Sequence, residues 1–176
     1  MINPYNIDLD KNLANYQPLT PISFLERAAD VFPNHIAIIH GSLKQTYSNF
    51  YARSKKLASA LSKKNILRGH TVSALLLNTP AMLEAHYGIP MCGGVIHAIN
   101  TRLDAKAIAF QLDHADSKIL IFDKELLPVV NEVLSLIKAN PILIQYNDKQ
   151  YNYTEGNISN DKEILDYEDF LETGDI

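Results

Sequence analysis

The chain has 176 residues, 47% of them apolar and 20% charged, which suits one globular domain with room for a sizeable core. A net charge of −4 with no basic stripe interleaved with aromatics argues against nucleic acid, and no apolar run approaches the roughly 18 residues needed to span a bilayer. Cys92 is the single cysteine, which excludes an internal disulfide framework and fits a reducing, cytoplasmic setting.

Residues 1–15 read as a polar N-terminal arm, neither a secretory h-region nor an Arg-rich transit peptide. Residues 16–149 read as an α/β body, and residues 150–176 as an acidic linker with a short helix. The charge is uneven: from Gln150 onward eight Asp or Glu face one Lys, so this tail carries −7 and the body +3. Lys55-Lys56 and Lys63-Lys64 fall on one predicted helix and are expected to form a solvated face.

Thr20 as N-cap and Pro21 at the first helical position open a helix, with Ile22, Leu25, Ala28, Ala29 and Phe32 at helical spacing and Pro33 ending it. Ile36 to His40 and Lys44 to Tyr47 flank Gly41-Ser42, the pattern of a small β-hairpin. Ser48 is expected to cap the next helix, which carries Phe50, Leu57, Ala58, Ala60 and Leu61 to about Lys64.

From Thr71 to Phe122 the pattern becomes strand (72–77), helix opened by Thr79-Pro80, strand (95–99), helix opened by Asp104, strand (119–122). The strands are apolar without strict alternation, as when both faces are covered. Short connections between them predict right-handed crossovers, hence a doubly wound, mostly parallel α/β sheet with helices on both faces. Pro90 has no N–H to offer the His86 carbonyl, so the helix should kink or stop there. A helix over Leu126 to Ile137, a strand over Pro141 to Tyr146, a polar excursion over Tyr151 to Asn160 and a terminal helix over Ile164 to Thr173 complete the pattern.

No complete active site is legible. The chain holds no Gly-x-x-x-x-Gly-Lys-Ser/Thr loop, no Gly-x-Gly-x-x-Gly after the first central strand, and no Gly-x-Ser-x-Gly elbow. The six His residues show no metal-ligand spacing, so no metal site and no catalytic residue is nominated. His97 alternates within an apolar strand, which suits a hydrogen-bonded core histidine better than a ligand. Asn78-Thr79-Pro80 sits at the carboxyl end of a central strand, where open α/β sheets place ligand crevices; helix capping explains the same residues. Asn100-Thr101-Arg102 occupies that edge after the next strand. Arg102 there suits a phosphate or CoA contact, or an ordinary surface pairing with Asp104 or the tail. His86 and Tyr87 face the Pro90 kink and either line a cavity or simply pack in the core.

These same stretches carry a resemblance. The run from Asn15 to Ala28 (NYQPLTPISFLERA), Thr46-Tyr47, Asn78-Thr79-Pro80-Ala81-Met82, His86-Tyr87-Gly88-Ile89-Pro90-Met91 and Asn100-Thr101-Arg102-Leu103-Asp104 together resemble AMP-forming acyl-CoA synthetases. The subgroup that the chain is most similar to handles short- and medium-chain acids and includes plant acyl-activating enzymes and bacterial methylmercaptopropionate-CoA ligases. The resemblance implies a parent enzyme that adenylates a carboxylic acid with ATP and Mg²⁺ and then passes the acyl group to CoA. It implies further that the chain corresponds to the first α/β subdomain of the acyl-adenylate-forming fold. The phosphate loop, ribose-binding acid and C-terminal lysine of such enzymes are not among these residues. Thr173-Gly174-Asp175 imitates the family's ribose-binding motif, but its setting resembles the linker ahead of the phosphate loop. Where some relatives place arginines against the CoA 3′-phosphate this chain has Ala109 and Gln111, leaving Arg102 as the nearest substitute.

The expectation is therefore an N-terminal portion of a synthetase that is inactive alone and binds no cofactor by itself. It would line part of the acyl pocket with His86 and Tyr87, offer Asn100, Thr101 and Arg102 to CoA or phosphate, and be prone to homodimerise through an exposed interdomain face. The alternatives are a stand-alone CoA- or adenine-nucleotide-binding module and an interaction domain.

Overall fold

A computed structural model describes residues 7–8, 10–151 and 162–176. Much of the N-terminal arm and all but Tyr151 of the predicted polar excursion lie outside the described residues.

Helix α1 (Pro21–Val31) starts as its cap signals dictate. The Thr20 side chain accepts from Ser23 N while Ser23 Oγ returns the favour to Thr20 N, a reciprocal box that satisfies two orphan donors. Strands β1 (Ile36–His40) and β2 (Leu43–Thr46) form the antiparallel hairpin, turning at Gly41 with φ +57°, a left-handed conformation that favours glycine. Helix α2 (Tyr47–Lys63) follows without a loop. Its cap is Thr46, whose hydroxyl accepts from Asn49 N at 3.2 Å, and Ser48 lies inside the first turn. The expected Ser48 cap is corrected for that reason: β2 runs directly into the helix, two residues earlier than a loop would allow.

Five strands, β3 (Thr71–Leu75), β4 (Val95–Ala98), β5 (Ile119–Asp123), β6 (Ile142–Tyr146) and β7 (Ile164–Asp166), form one parallel sheet in the order β4-β3-β5-β6-β7. Winding runs outward from β3 to β4 and then reverses toward β5, so the sheet is doubly wound with its switch point beside β3. Helices α3 (Pro80–Met91), α4 (Ala105–His114), α5 (Leu127–Leu136) and α6 (Tyr167–Glu172) complete the layers. A period of two is present beneath the double burial. Val72, Ala74, Ile121 and Ile144 face a core shared with Leu57, Leu61, Ala85 and Tyr167. Leu75, Leu120, Phe122 and Leu143 face the opposite core, with Ile108, Leu112, Val130 and Val133. Both faces are apolar, so hydropathy alone cannot display the alternation.

Helix α3 stops one residue past Pro90, where Gly93 N donates to the Pro90 carbonyl and Gly94 N to that of Ile89. Helix α5 begins one residue later than expected, after a 3-10 turn over Lys124–Leu126. The terminal segment needs a larger correction. Ile164–Asp166 is not helical but a fifth strand paired in parallel with β6, and only then does α6 begin, with Tyr167, Phe170 and Leu171 fully or almost fully buried. The strand wins because β6 would otherwise leave a row of unpaired backbone groups at the sheet edge.

The acidic tail is also explained. Lys56 pairs with Glu172 at 2.7 Å and Lys63 with Asp175 at 2.8 Å, while Lys55 lies over the Tyr51 ring. Two of the four lysines expected to face only solvent thus hold the C-terminal segment against α2. His97 Nδ1 lies 2.9 Å from Ser73 Oγ, the hydrogen-bonded histidine that its alternation suggested. No described helix is long and apolar enough to cross a membrane.

Candidate functional site

At the carboxyl end of β3 the hairpin leans over the first turns of α3 and leaves a cleft of about 340 Å³. Its walls are apolar: Ile38 and Ile39 from β1, Pro80, Met82 and Leu83 from α3. Four polar side chains open onto it, those of His40, Asn78, Thr79 and His86. The structure thus unites Asn78-Thr79-Pro80 with His86, and adds the hairpin as the opposite wall. Thr79 is the N-cap residue by backbone conformation but makes no side-chain cap bond, so capping does not account for its side chain.

The two imidazoles are each fixed from one side. His40 Nε2 lies 2.6 Å from Asp148 Oδ2, and a carboxylate only accepts, so Nε2 carries the proton. Asp148 is itself buried, and its other oxygen accepts from Gln150 N. His86 Nδ1 lies 2.8 Å from the Met82 carbonyl oxygen, which places the proton on Nδ1. His40 Nδ1, His86 Nε2 and the Asn78 amide have no partner among the described residues. The hairpin is pinned in place by the His40–Asp148 pair and by Ser42, whose N and Oγ both donate to Gln150 Oε1 at 3.0 Å.

The other nominated residues lie elsewhere. Tyr87 packs edge-on against Phe50 with ring centroids 5.2 Å apart, in the small core that also holds Leu25 and Ile38. Asn100 Oδ1 accepts from Arg102 N, so Asn100 shapes the turn into α4. The Arg102 guanidinium is exposed and has no partner among the described residues. Asp104 caps α4 through Ala107 N and does not pair with Arg102. Ala109 is buried in the α4–α5 core, which leaves it no role at a surface phosphate.

A second polar cluster went unnoticed in the sequence. Arg53 Nε donates to Glu84 Oε1 at 2.5 Å and Arg53 Nη2 to Glu84 Oε2 at 3.2 Å, while the same guanidinium donates to both Glu168 oxygens. The Tyr167 hydroxyl donates to Glu84 Oε2 at 2.8 Å. Burial pushes the Glu84 carboxyl up, against the pull of Arg53 and Tyr167. Burial, and next the Glu84 charge, hold the Tyr167 phenol well above its ordinary value, so it stays a donor. This cluster ties α2, α3 and α6 together and is structural. A signal for it existed: Glu84 shares a helical stripe with Ala81, Ala85 and Gly88, and a carboxylate on a buried stripe requires a cation.

A family described as AMP-binding enzyme matches residues 25–170. An acetate/butyrate–CoA ligase of Arabidopsis thaliana is 41% identical over 175 residues, covering 96% of this chain and 31% of the relative. An acetate–CoA ligase of Humulus lupulus is 38% identical, with the same coverage of 96% and 31%. The chain therefore spans about a third of the length of these relatives. Among solved structures, an anthranilate CoA ligase in complex with anthranoyl-AMP superposes with a TM-score of 0.74 at 20% identity, over 87% of this chain and 28% of that one. A benzoate CoA ligase from Burkholderia xenovorans gives 0.72 at 22%, with coverage of 87% and 28%. At these identities the likeness establishes the fold.

Proposed function

The chain belongs to the AMP-binding enzyme family, and from there we propose that it is the first α/β subdomain of an ATP-dependent acyl-CoA synthetase. In the whole enzyme a carboxylic acid, ATP and CoA would give acyl-CoA, AMP and pyrophosphate. The observation that carries this reading is 41% identity across 96% of the chain with an acetate/butyrate–CoA ligase. The contribution of this chain is a frame: a parallel sheet whose carboxyl edge, with Asn78, His86 and Arg102, faces the reacting molecules. His86 lines the acyl side, and Tyr87 behind it holds α3 against α2. Arg102, with Thr101 beside it and Asn100 shaping its turn, is the proposed contact for a phosphate of CoA.

Stabilising a transferring nucleotidyl group requires preorganised donors and a cation at the reacting phosphate. The 176 residues contain no phosphate-loop motif. Among the described residues no group of three or more His, Cys, Asp or Glu is disposed to hold a metal. The residues present do not fit Mg²⁺, and no step through it is assigned to them. On this reading the chain alone is expected to be inactive.

Ile39 and Leu83, which meet at the cleft, are 69% and 44% exposed. Clustered apolar exposure of this kind marks a face made for another surface, and in the isolated chain it supports a homodimer. A reducing, cytoplasmic setting goes with the single Cys92.

The test is direct. Incubated with ATP, Mg²⁺, CoA and butyrate, the 176-residue chain should release no pyrophosphate above a blank. Sustained turnover would overturn the reading, because the chemistry would then reside in residues to which it assigns none.

A further inference from the structure

Gln45 on β2 is only 8% exposed, yet its Oε1 accepts no hydrogen bond from any described residue. A buried acceptor left unpaired costs stability, so a native chain rarely keeps one without a use for it. Gln45 lines a second cavity, of about 250 Å³, bounded by the hairpin, the residues that follow β6 and Glu168 of α6. This cavity shares only Pro80 with the cleft between the hairpin and α3. Tyr146, 7% exposed, lines it as well, and its hydroxyl has no partner among the described residues. We infer that the cavity binds a small primary ammonium ion, whose N–H groups are accepted by Gln45 Oε1, the Tyr146 hydroxyl oxygen and the Asp148 carboxylate.

Charge selects a cation. Burial, and after it the charges of Asp148, Glu84, Glu168 and Asp123, push the Tyr146 phenol up, so carboxylates dominate the surroundings of its hydroxyl. Of the two cations on the lining, Arg53 is spent on Glu84 and Glu168, and Lys149 is exposed. An anion would therefore meet Asp148 and Glu168 with no free guanidinium to hold it. Hydrogen bonding selects a primary amine. Each Asp148 oxygen takes one bond, from Gln150 N or from His40, and has room for a second. The Gln45 carboxamide turns about a terminal torsion that is broad and roughly two-fold, so its oxygen can be presented to a donor in the cavity. Three acceptors match the three N–H groups of an alkylammonium, and bonds from a charged donor are the stronger kind. Leu43 and Pro80 offer apolar contact to a short hydrocarbon behind the nitrogen. The site stands apart from the proposed reaction, whose carboxylic acid, ATP and CoA carry no ammonium group.

The experiment uses the 176-residue chain with its amide nitrogens isotopically labelled, titrated at fixed ionic strength with n-propylammonium chloride, tetramethylammonium chloride and 1-propanol in turn. n-Propylammonium should shift the Gln45 side-chain amide and the backbone amides of residues 146–150 in a saturable manner. Tetramethylammonium has the charge without a donor, and 1-propanol has a donor without the charge. Each should bind at least about tenfold more weakly, the worth of one hydrogen bond to a charged group. Gln45→Leu and, independently, Tyr146→Phe should each weaken n-propylammonium about tenfold on the same grounds. Those variants are read at the backbone amides, with circular dichroism confirming that each is folded. The inference is overturned if n-propylammonium leaves the parent's Gln45 amide unmoved at about 50 mM, where a Kd of ~10 mM would be evident. It is equally overturned if either control ligand matches n-propylammonium, or if either folded variant binds it as the parent does. Should a variant fail to fold, the three titrations of the parent chain decide the matter alone.

Discussion

Replacing Arg53 with Met removes the only cation among the described residues that pairs with Glu84. The Glu84 side chain is 0% exposed, whereas Glu168, the other partner, is 42% exposed. The two losses therefore differ greatly. Stranding a fully buried carboxylate costs about 3–5 kcal/mol, while releasing the solvated one costs about 0–1 kcal/mol. In urea, with m of ~2 kcal/mol/M, the midpoint should fall by about 1.5–3 M. The pH dependence has a definite sign. Burial raises the native Glu84 carboxyl above its unfolded value, so the folded chain binds the extra proton. Stability from this group is full below the unfolded carboxylate value and is lost as pH climbs through the native one. Without Arg53 the native value rises further, so the deficit should be widest near neutrality and narrow toward about pH 4–5. Adding Glu84→Gln to Arg53→Met should recover about 1–3 kcal/mol, because the pair is directly coupled. A deficit below about 1 kcal/mol that does not change with pH would refute the reasoning, since Glu84 would then not need its cation.

Three further outcomes are expected. Tyr167→Phe deletes one donor to the same carboxylate and should cost about 1–2 kcal/mol by urea unfolding; no loss would mean that Arg53 alone satisfies Glu84. Gly174→Ala would drive a methyl group into the Lys56 carbonyl oxygen and within 3.1 Å of Ala60 N, backbone atoms that cannot yield. Amide exchange should therefore accelerate at residues 173–176 and leave β3 and β5 unchanged, whereas uniform protection would contradict that close approach. Light scattering should find the isolated chain self-associating and Ile39→Lys reducing it, because Ile39 is 69% exposed on the apolar edge; a strictly monomeric parent chain would remove the homodimer.

What the sequence disclosed follows its local signals. The β3, β4 and β5 runs, the Thr20-Pro21 and Asp104 helix starts, the Gly41-Ser42 turn and the stop at Pro90 are each written within a few neighbouring residues. The failures are non-local. Strand β7 is three residues long, too short to show a period, and the helical spacing of Tyr167, Phe170 and Leu171 extended backward over it. Only its pairing with β6 makes it a strand. Thr46 and Ser48 are both competent caps, and what decides between them is that β2 leads into α2 without a loop. His40 and Asp148 are 108 positions apart, so no spacing rule joins them. Of the nominated residues, His86 and the Asn78-Thr79-Pro80 stretch meet at the cleft because the hairpin closes over α3, a packing event with no trace in either segment alone.

The central claim is that this chain is an interchangeable part of an acyl-CoA synthetase, able to frame a reaction that it does not perform. Transplanting it in place of the matching segment of the Arabidopsis acetate/butyrate–CoA ligase, to which it is 41% identical, tests that most directly. Butyrate- and CoA-dependent release of AMP and pyrophosphate by the soluble hybrid is the predicted result. A hybrid that folds, binds ATP and still forms no acyl-adenylate would contradict the claim.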